Sequence, residues 1–242
     1  MTGSRGVLGS AVVEQLGDPA VVQIDRRDGL ELADRSAMRD HLTGCDVLIH
    51  LAAIHPLVAP DGTDYDAANV SPFRALLEVA KAAGVHRIIF ASSTSVWSDA
   101  PPGQPCRFID ESVPADGAGG YARSKLACEA LLHESGVAHV MFRLARFARD
   151  GDPRDAVRLL YRAVRPAAAA GAIARAARDD RVAGLFALSA PTPFRPEDAD
   201  RLDRDPGAVI RERTGMVPSW VPERIGSVIV TDRAQRELGW VG

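Results

Sequence analysis

The sequence predicts an α/β protein built around a doubly wound parallel sheet, and three observations carry that prediction. Short, nearly continuous apolar runs such as DVLIHLAA and HRIIFASS alternate with longer segments of helical period, as expected when helices cover both faces of every strand. The run TGSRGVLG spaces Gly3, Gly6 and Gly9 evenly and leads straight into a helical pattern. Glycines there allow a tight turn and let a pyrophosphate approach the helix N-terminus. Asp25 closes the next apolar run, about twenty residues on, where an acid accepts hydrogen bonds from an adenosine ribose. An Asp that merely starts a turn is the simpler alternative at that position. Together the three observations describe a Rossmann-like, dinucleotide-binding sheet.

In chain order, the first helix is read over 8–16, followed by a strand over 20–25 that ends on Asp25. A helix over 36–42 leads to a β-branched strand at 46–53, and a long helix over 67–83 leads to the next strand at 86–93. Proline and glycine cluster at 100–106 and 114–120, marking one long loop. A helix over 121–135 and a strand over 139–145 follow it. From Arg146 the alternation breaks down, so 1–145 is read as the dinucleotide-binding domain. Residues 146–242 are read as a small substrate-binding lobe, interleaved with the sheet through a strand at 184–189 and ending in a helix near 234–238. One strand is missing: only Met1 and Thr2 precede the glycine run, where this architecture needs a central strand paired on both sides. Its loss would expose two hydrogen-bonding edges and remove side chains that each contribute roughly 1.5–3 kcal/mol. The expectation is that the working protein carries about seven to ten more residues of strand.

Composition narrows the function classes. The 242 residues carry a formal net charge of -3, and arginines are interspersed with acids, which excludes the electrostatic footprint of a nucleic-acid binder. Cys45, Cys106 and Cys128 are widely spaced with no paired motif, which argues against a disulfide framework or a zinc site and for a reducing cytoplasm. No apolar run is long enough to span a membrane. No metal site is expected.

The chemistry concentrates in the stretch YARSK. Tyr121 and Lys125 stand one helical turn apart, in a chain whose only other lysine is Lys81. Residues at i and i+4 share a helix face, and an ammonium beside a phenol favours the phenolate. A free tyrosine titrates near about 10, so such a shift is what makes it useful as an acid or base at neutral pH. An exposed Tyr and Lys without chemistry is the alternative from this motif alone. Ser92, Ser93, Thr94 and Ser95 follow the apolar run IIFA, at the carboxyl end of a strand, where α/β folds place their ligands. A hydroxyl there can hold a substrate oxygen while Tyr121 exchanges a proton with it. Arg5, Arg26 and Arg27 lie near the expected ribose site, and an arginine there pairs with a 2′-phosphate. NAD is the favoured cofactor because of Asp25, and those arginines leave NADP open. His50 reads as a packed strand residue.

These features, in this order, resemble the short-chain dehydrogenase/reductase superfamily, in particular its extended branch, the NAD-dependent epimerase/dehydratase family. TGSRGVLG, HLAA, Asn69 in AANVSPFRALLEVAKAAGV, FASSTSVW and YARSK carry the resemblance. It implies an NAD(P)-dependent oxidoreductase acting on a hydroxyl or ketone of a sugar or sugar-like metabolite. Ser93 would orient the substrate, with Thr94 as the alternative hydroxyl. Tyr121 would be the acid/base, and Lys125 would bind the nicotinamide ribose and depress the tyrosine pKa. The cofactor would lie against Gly3, Gly6, Val7, Leu8 and Gly9, with Asp25 and Arg26 at its ribose. Glu31 and Leu32 would sit near its adenine, and Leu51, Ala52, Ala53 and Asn69 beside it. A nucleotide-sugar epimerase or dehydratase would use the same residues, and a non-catalytic cofactor-binding scaffold would keep only the fold. DGAGGY and RFARDGDP depart from the branch's pattern where substrate is chosen, and the pattern is also similar to uronate dehydrogenases. The substrate is thus expected to be a sugar, sugar acid or nucleotide sugar. The two long helices would suit a homodimer contact.

Overall fold

The computed structural model describes residues 1–242 as eight strands and nine α-helices. The first half runs α1 (Val7–Leu16), α2 (Arg35–Leu42), β1 (Val47–His50), α3 (Ser71–Ala82), β2 (Arg87–Ser93), β3 (Arg107–Ile109), α4 (Gly120–Glu134) and β4 (Ala138–Leu144). The second runs β5 (Arg146–Phe147), α5 (Pro153–Arg158), β6 (Ala163–Val164), α6 (Pro166–Arg178), β7 (Gly184–Leu188), α7 (Ala199–Arg204), α8 (Pro206–Thr214), β8 (Ser227–Ile229) and α9 (Asp232–Leu238). Local chemistry sets several boundaries. Asp34 accepts hydrogen bonds from Ser36 N and Ala37 N at the start of α2. Asp152 and Asp205 cap α5 and α8, each followed by a proline, which needs no N–H partner at a first helical position.

The main sheet is parallel in the order β1-β2-β4-β7, with Val47 opposite Arg87, Arg87 opposite Ala138 and Val140 opposite Gly184. Side chains alternate across it. Ile89, Phe142 and Phe186 pack with Leu8, Val12, Ile173 and Leu238 of α1, α6 and α9. Ile88 and Phe90 pack on the opposite side with Met38, Phe73, Leu76 and Leu132 of α2, α3 and α4. The result is a sheet with helices on both faces. A separate apolar cluster, including Val157, Leu202, Ile210 and Val228, holds the smaller lobe together.

Beyond β1 the sheet continues only in fragments. Thr2 bridges in parallel to both Ile24 and His50; its N–H donates to Ile49 O at 2.9 Å, and its carbonyl accepts from Leu51 N at 3.2 Å. Met1 and Thr2 thus occupy the central lane expected for a full strand. The run over 20–25, expected as a full strand, forms one bridge at Ile24, with Met1 N donating to Val22 O, Ile24 N to Met1 O and Gly3 N to Ile24 O at 2.6, 2.8 and 2.9 Å. The sequence reading also passed over α6, whose Ala169, Ala170, Ile173 and Ala176 are buried against α1 and the sheet.

Candidate active site

The site forms at the carboxyl end of β2. Ser93 ends that strand, accepts a hydrogen bond from Ser95 N at 3.1 Å and lies within hydrogen-bonding reach of the Tyr121 phenol. The backbone N–H groups of Asp116 and Gly117 donate to Val96 O, which fastens the DGAGGY loop over this turn and starts α4 beside Ser93. The Tyr121 ring is held edge-on between His55 and Tyr65, with centroids 5.1 and 5.8 Å away. One turn on, Lys125 is buried; its Nζ donates to Ala91 O at 2.7 Å and sits 4.9 Å from the centre of the Phe90 ring and 5.8 Å from that of Tyr121. Ser93, Tyr121 and Lys125 therefore converge, as the motif spacing predicts. Thr94 is buried beneath them.

The electrostatics differ from the expectation. Burial pushes the Tyr121 phenol well above its ordinary value, and the bond with Ser93 only partly opposes this. Lys125 pays its own burial cost and titrates at about 8, in spite of the raising influence of Cys128 and Glu129. In the folded chain, then, the phenol carries its proton at neutral pH, because desolvation outweighs the neighbouring ammonium. His50 is a packed strand residue: it stacks on Phe73 and Phe90, shares a 2.8 Å hydrogen bond with Thr2 Oγ1, and is driven by burial to a pKa of about 3.

Asn69 lies in a single π-helical turn, Asp66–Val70, a local irregularity that recurs at functional sites. Its Oδ1 accepts from Ile54 N at 2.7 Å, and its Nδ2 donates to Ile54 O and to Ser124 Oγ. Ser124 Oγ in turn donates to Tyr121 O at 2.8 Å. Asn69 therefore couples the loop carrying Leu51, Ala52 and Ala53 to the helix carrying Tyr121.

The glycine loop fits the pyrophosphate of a dinucleotide. A Cβ on Gly3 would lie 2.8 Å from Ala52 N, and one on Gly9 only 2.0 Å from Gly3 O, so the loop, α1 and the Ala52 backbone approach as only glycine permits. Helix α1 is N-capped by Gly6, with no side-chain cap and no acid in its first turn, leaving N–H groups free for an anion. The buried Ser4 hydroxyl has no partner within the chain. Val7 is exposed at the helix start, whereas Leu8 sends its side chain into the core. Asp25 accepts from Arg5 N at 2.9 Å and Arg27 N at 3.0 Å; burial opposes its charge, but these bonds hold its carboxyl below the usual range. Arg5 pairs with Asp28 and Arg27 Nη1 donates to Arg5 O at 2.5 Å, while Arg26 is exposed. Leu32 packs at the edge of the core and Glu31 is exposed.

After β4, RFARDGDP folds around one carboxylate. Asp155 is wholly buried and accepts from Arg149 N, Arg149 Nε and Arg158 Nη1 at 3.1, 3.0 and 2.8 Å. Burial works against its charge, yet these bonds bring it to about 2. Arg158 lies 5.4 Å from the centre of the Trp220 ring. Sequence reading missed this hub, and it also missed Glu129, which continues the Tyr121–Lys125 spacing by one more turn.

An open parallel sheet with an uncapped glycine loop and a converging Ser-Tyr-Lys set defines a dinucleotide-binding α/β protein. The model of the NAD dependent epimerase/dehydratase family matches residues 1–173, and the chain belongs to that family. It is 32% identical over 164 residues to a UDP-glucose 4-epimerase of Azospirillum brasilense, covering 57% of this chain and 44% of that protein. Over 103 residues it is 32% identical to a 4-hydroxy-2-methyl-3-oxo-4-farnesyl-3,4-dihydroquinoline-1-oxide ketoreductase of Stigmatella aurantiaca, covering 42% of this chain and 30% of that protein. The aligned stretches span less than half the length of either relative. Among solved structures, MoeE5 in complex with UDP-glucuronic acid and NAD superimposes with a TM-score of 0.71 at 23% identity, covering 100% of this chain and 92% of that one. A short-chain dehydrogenase/reductase superfamily protein of Agrobacterium tumefaciens with bound NAD gives 0.72 at 24%, covering 99% and 90%. These two likenesses establish the shared fold.

Proposed function

We propose that this chain is an NAD-dependent oxidoreductase that interconverts a hydroxyl and a ketone on a sugar or sugar-like metabolite, with Tyr121 as the proton-transferring group. The observation that carries the reading is the half-buried Tyr121 phenol beside Ser93 and the buried Lys125 at the carboxyl end of β2. Gly3, Gly6 and Gly9 with the start of α1 would hold the pyrophosphate, and Asp25 the adenosine ribose. Bound there, a nicotinamide dinucleotide supplies a hydride donor or acceptor. Arg5 and Arg27 are committed to Asp28 and a backbone carbonyl, which favours NAD over NADP.

Ser93 Oγ orients the substrate oxygen toward the phenol. In its protonated form Tyr121 donates to an oxygen that gains charge as a ketone is reduced; in oxidation it takes the hydroxyl proton back. Lys125, as an ammonium, favours the phenolate in that direction. Residues 146–242 would supply the substrate side through the Asp155 hub and Trp220. The same residues serve an epimerase, a reading favoured by the UDP-glucose 4-epimerases among the relatives. A non-catalytic scaffold has no need of a converging Ser-Tyr-Lys set with its lysine buried.

Tyr121→Phe tests the reading. Turnover, followed by nicotinamide absorbance across a panel of sugars, sugar acids and nucleotide sugars, should fall by roughly 10²–10⁴-fold, while NAD binding is retained. A variant as active as the wild type would refute it.

A further inference from the structure

The turn that carries Ser93 is clamped from two sides, and one clamp comes from the far part of the chain. Ser93 Oγ accepts from Ser95 N at 3.1 Å, and Trp97 N closes the turn on Thr94 O at 3.1 Å. The Ser93 hydroxyl therefore keeps its place only while residues 94–97 keep theirs. On the Tyr121 side, Val96 O accepts from Asp116 N and Gly117 N at 3.0 and 2.8 Å. The carbonyls at the two ends of the turn, Thr94 O and Trp97 O, instead accept from Arg162 Nη2 at 2.6 and 2.7 Å.

Arg162 lies between α5 and β6, and its own position is fixed. Its N–H donates to Arg158 O at 2.8 Å, Tyr161 O accepts from Ile229 N at 2.8 Å, and Ala163 O accepts from Ala190 N at 2.7 Å. Its Nη1 donates to Asp99 Oδ1 at 2.6 Å and to Ser227 Oγ at 2.5 Å, and Ser227 Oγ donates to the same Asp99 oxygen. Just beyond, Ala100 N donates to Gly226 O at 3.0 Å, and a Cβ on Gly226 would lie 2.8 Å from Asp99 Cβ, so the chain entering β8 presses against the segment that follows the turn. Each terminal nitrogen of the guanidinium thus spends both of its protons, two on the turn and two on the Asp99–Ser227 pair. A rigid planar fork suits that task. Pairing with Asp99 would need Nη1 alone; the two bonds from Nη2 go to neutral carbonyls of the Ser93 turn.

We propose that Arg162 is a positioning residue that ties the Ser93 turn to β6 and β8 and so sets where Ser93 Oγ stands relative to the Tyr121 phenol. This rests on the reading of Ser93 and Tyr121 as acting together. Without the guanidinium, the turn is held by the Asp116 and Gly117 bonds to Val96 O, and its two ends lose their partners.

The chain has three tyrosines, so protein labelled with ¹³C at tyrosine Cζ gives three NMR resonances, and Tyr121→Phe identifies that of Tyr121. Ser93→Ala defines the displacement that loss of the Ser93 hydroxyl causes. In Arg162→Met, which removes all four bonds, the Tyr121 resonance should move in the same direction. Arg162→Lys keeps a charge for Asp99 but cannot span both carbonyls as well, and should move it less. Arg87→Met is the structural control: Arg87 Nη1 donates to Asp180 Oδ1 at 2.6 Å and Nη2 donates to Val182 O, at the amino end of the same strand. It should lose stability and leave the Tyr121 resonance in place. With the panel sugar that wild type turns over fastest, kcat of Arg162→Met should fall by about 10–100-fold while NAD binding is unchanged. A Tyr121 resonance that moves in Ser93→Ala and stays in place in folded Arg162→Met would overturn the proposal alone. One that stays in place in Ser93→Ala would overturn it together with the pairing of Ser93 and Tyr121. An equal displacement in Arg87→Met, or failure of both Arg162 variants to fold, would make Arg162 a structural support and would also overturn it.

Discussion

Gly9→Ala and Gly171→Ala place the same methyl group in two helices with opposite expected outcomes. At Gly9 the new carbon would lie 2.0 Å from Gly3 O and 2.8 Å from both Ser4 C and Ser4 Cα. A carbon normally stays about 3.3–3.6 Å from such an oxygen, so α1 or the loop must shift by more than about 1 Å. Every contacting atom is backbone and none can rotate aside, which puts the overpacking cost near the upper end of its range, about 3 kcal/mol. Alanine's helix preference returns up to about 1 kcal/mol, leaving a net loss of about 2. At Gly171 in α6 nothing lies within 4 Å of the added carbon, so only the gain of about 0.5–1 kcal/mol remains. Urea unfolding measures both. With a slope of about 2–3 kcal/mol/M, Gly9→Ala should lower the midpoint by about 0.7–1 M and Gly171→Ala should raise it slightly. The shift at Gly9 should also weaken NAD binding, which Gly171→Ala leaves intact. A Gly9→Ala midpoint at or above wild type would show that the loop and α1 do not touch as described.

Three further outcomes follow from the same geometry. Lys125 is lowered by burial to about 8 when folded, so the folded chain binds this proton less tightly than the unfolded one. Its burial therefore costs stability below about 8, and the cost fades as pH rises toward the ordinary lysine value. The stability difference between Lys125→Met and wild type should narrow over that range while wild-type activity declines, and a difference constant with pH would contradict it. His50, lowered to about 3, contributes stability that is complete above the ordinary histidine pKa and is lost as pH falls toward 3. His50→Phe, placed between Phe73 and Phe90, should therefore lose less stability on acidification than wild type in urea melts. Arg162 Nη1 donates to Asp99 Oδ1 and Ser227 Oγ at 2.6 and 2.5 Å, and Nη2 to Thr94 O and Trp97 O at 2.6 and 2.7 Å. Arg162→Met should cost about 1–3 kcal/mol by leaving the Thr94 and Trp97 carbonyls unpaired, and no measurable loss in urea unfolding would show that water replaces it.

Local pattern was enough wherever a segment carries its own signal. The apolar runs of β1, β2, β4 and β7 and the periodic helices α1, α3 and α4 were legible because one face or both must be buried whatever the partner. Tyr121 and Lys125 were legible because helical spacing alone puts them on one face, and Gly3 and Gly9 because a tight turn demands them. What the tertiary structure decided depends on partners distant in sequence. The run at 20–25 has strand chemistry, but pairing is a property of two segments, and here it is confined to the bridge between Ile24 and Thr2. Helix α6 hides its buried face in alanines, whose small apolar surface gives a weak periodic signal while permitting close approach to α1. β3 and β8 pair residues that are half the chain apart, as with Arg107 and Ser227. The phenol's proton was decided in the same way: Lys125 promised a lowered pKa by proximity, and burial, which only the packed fold sets, reversed the sign.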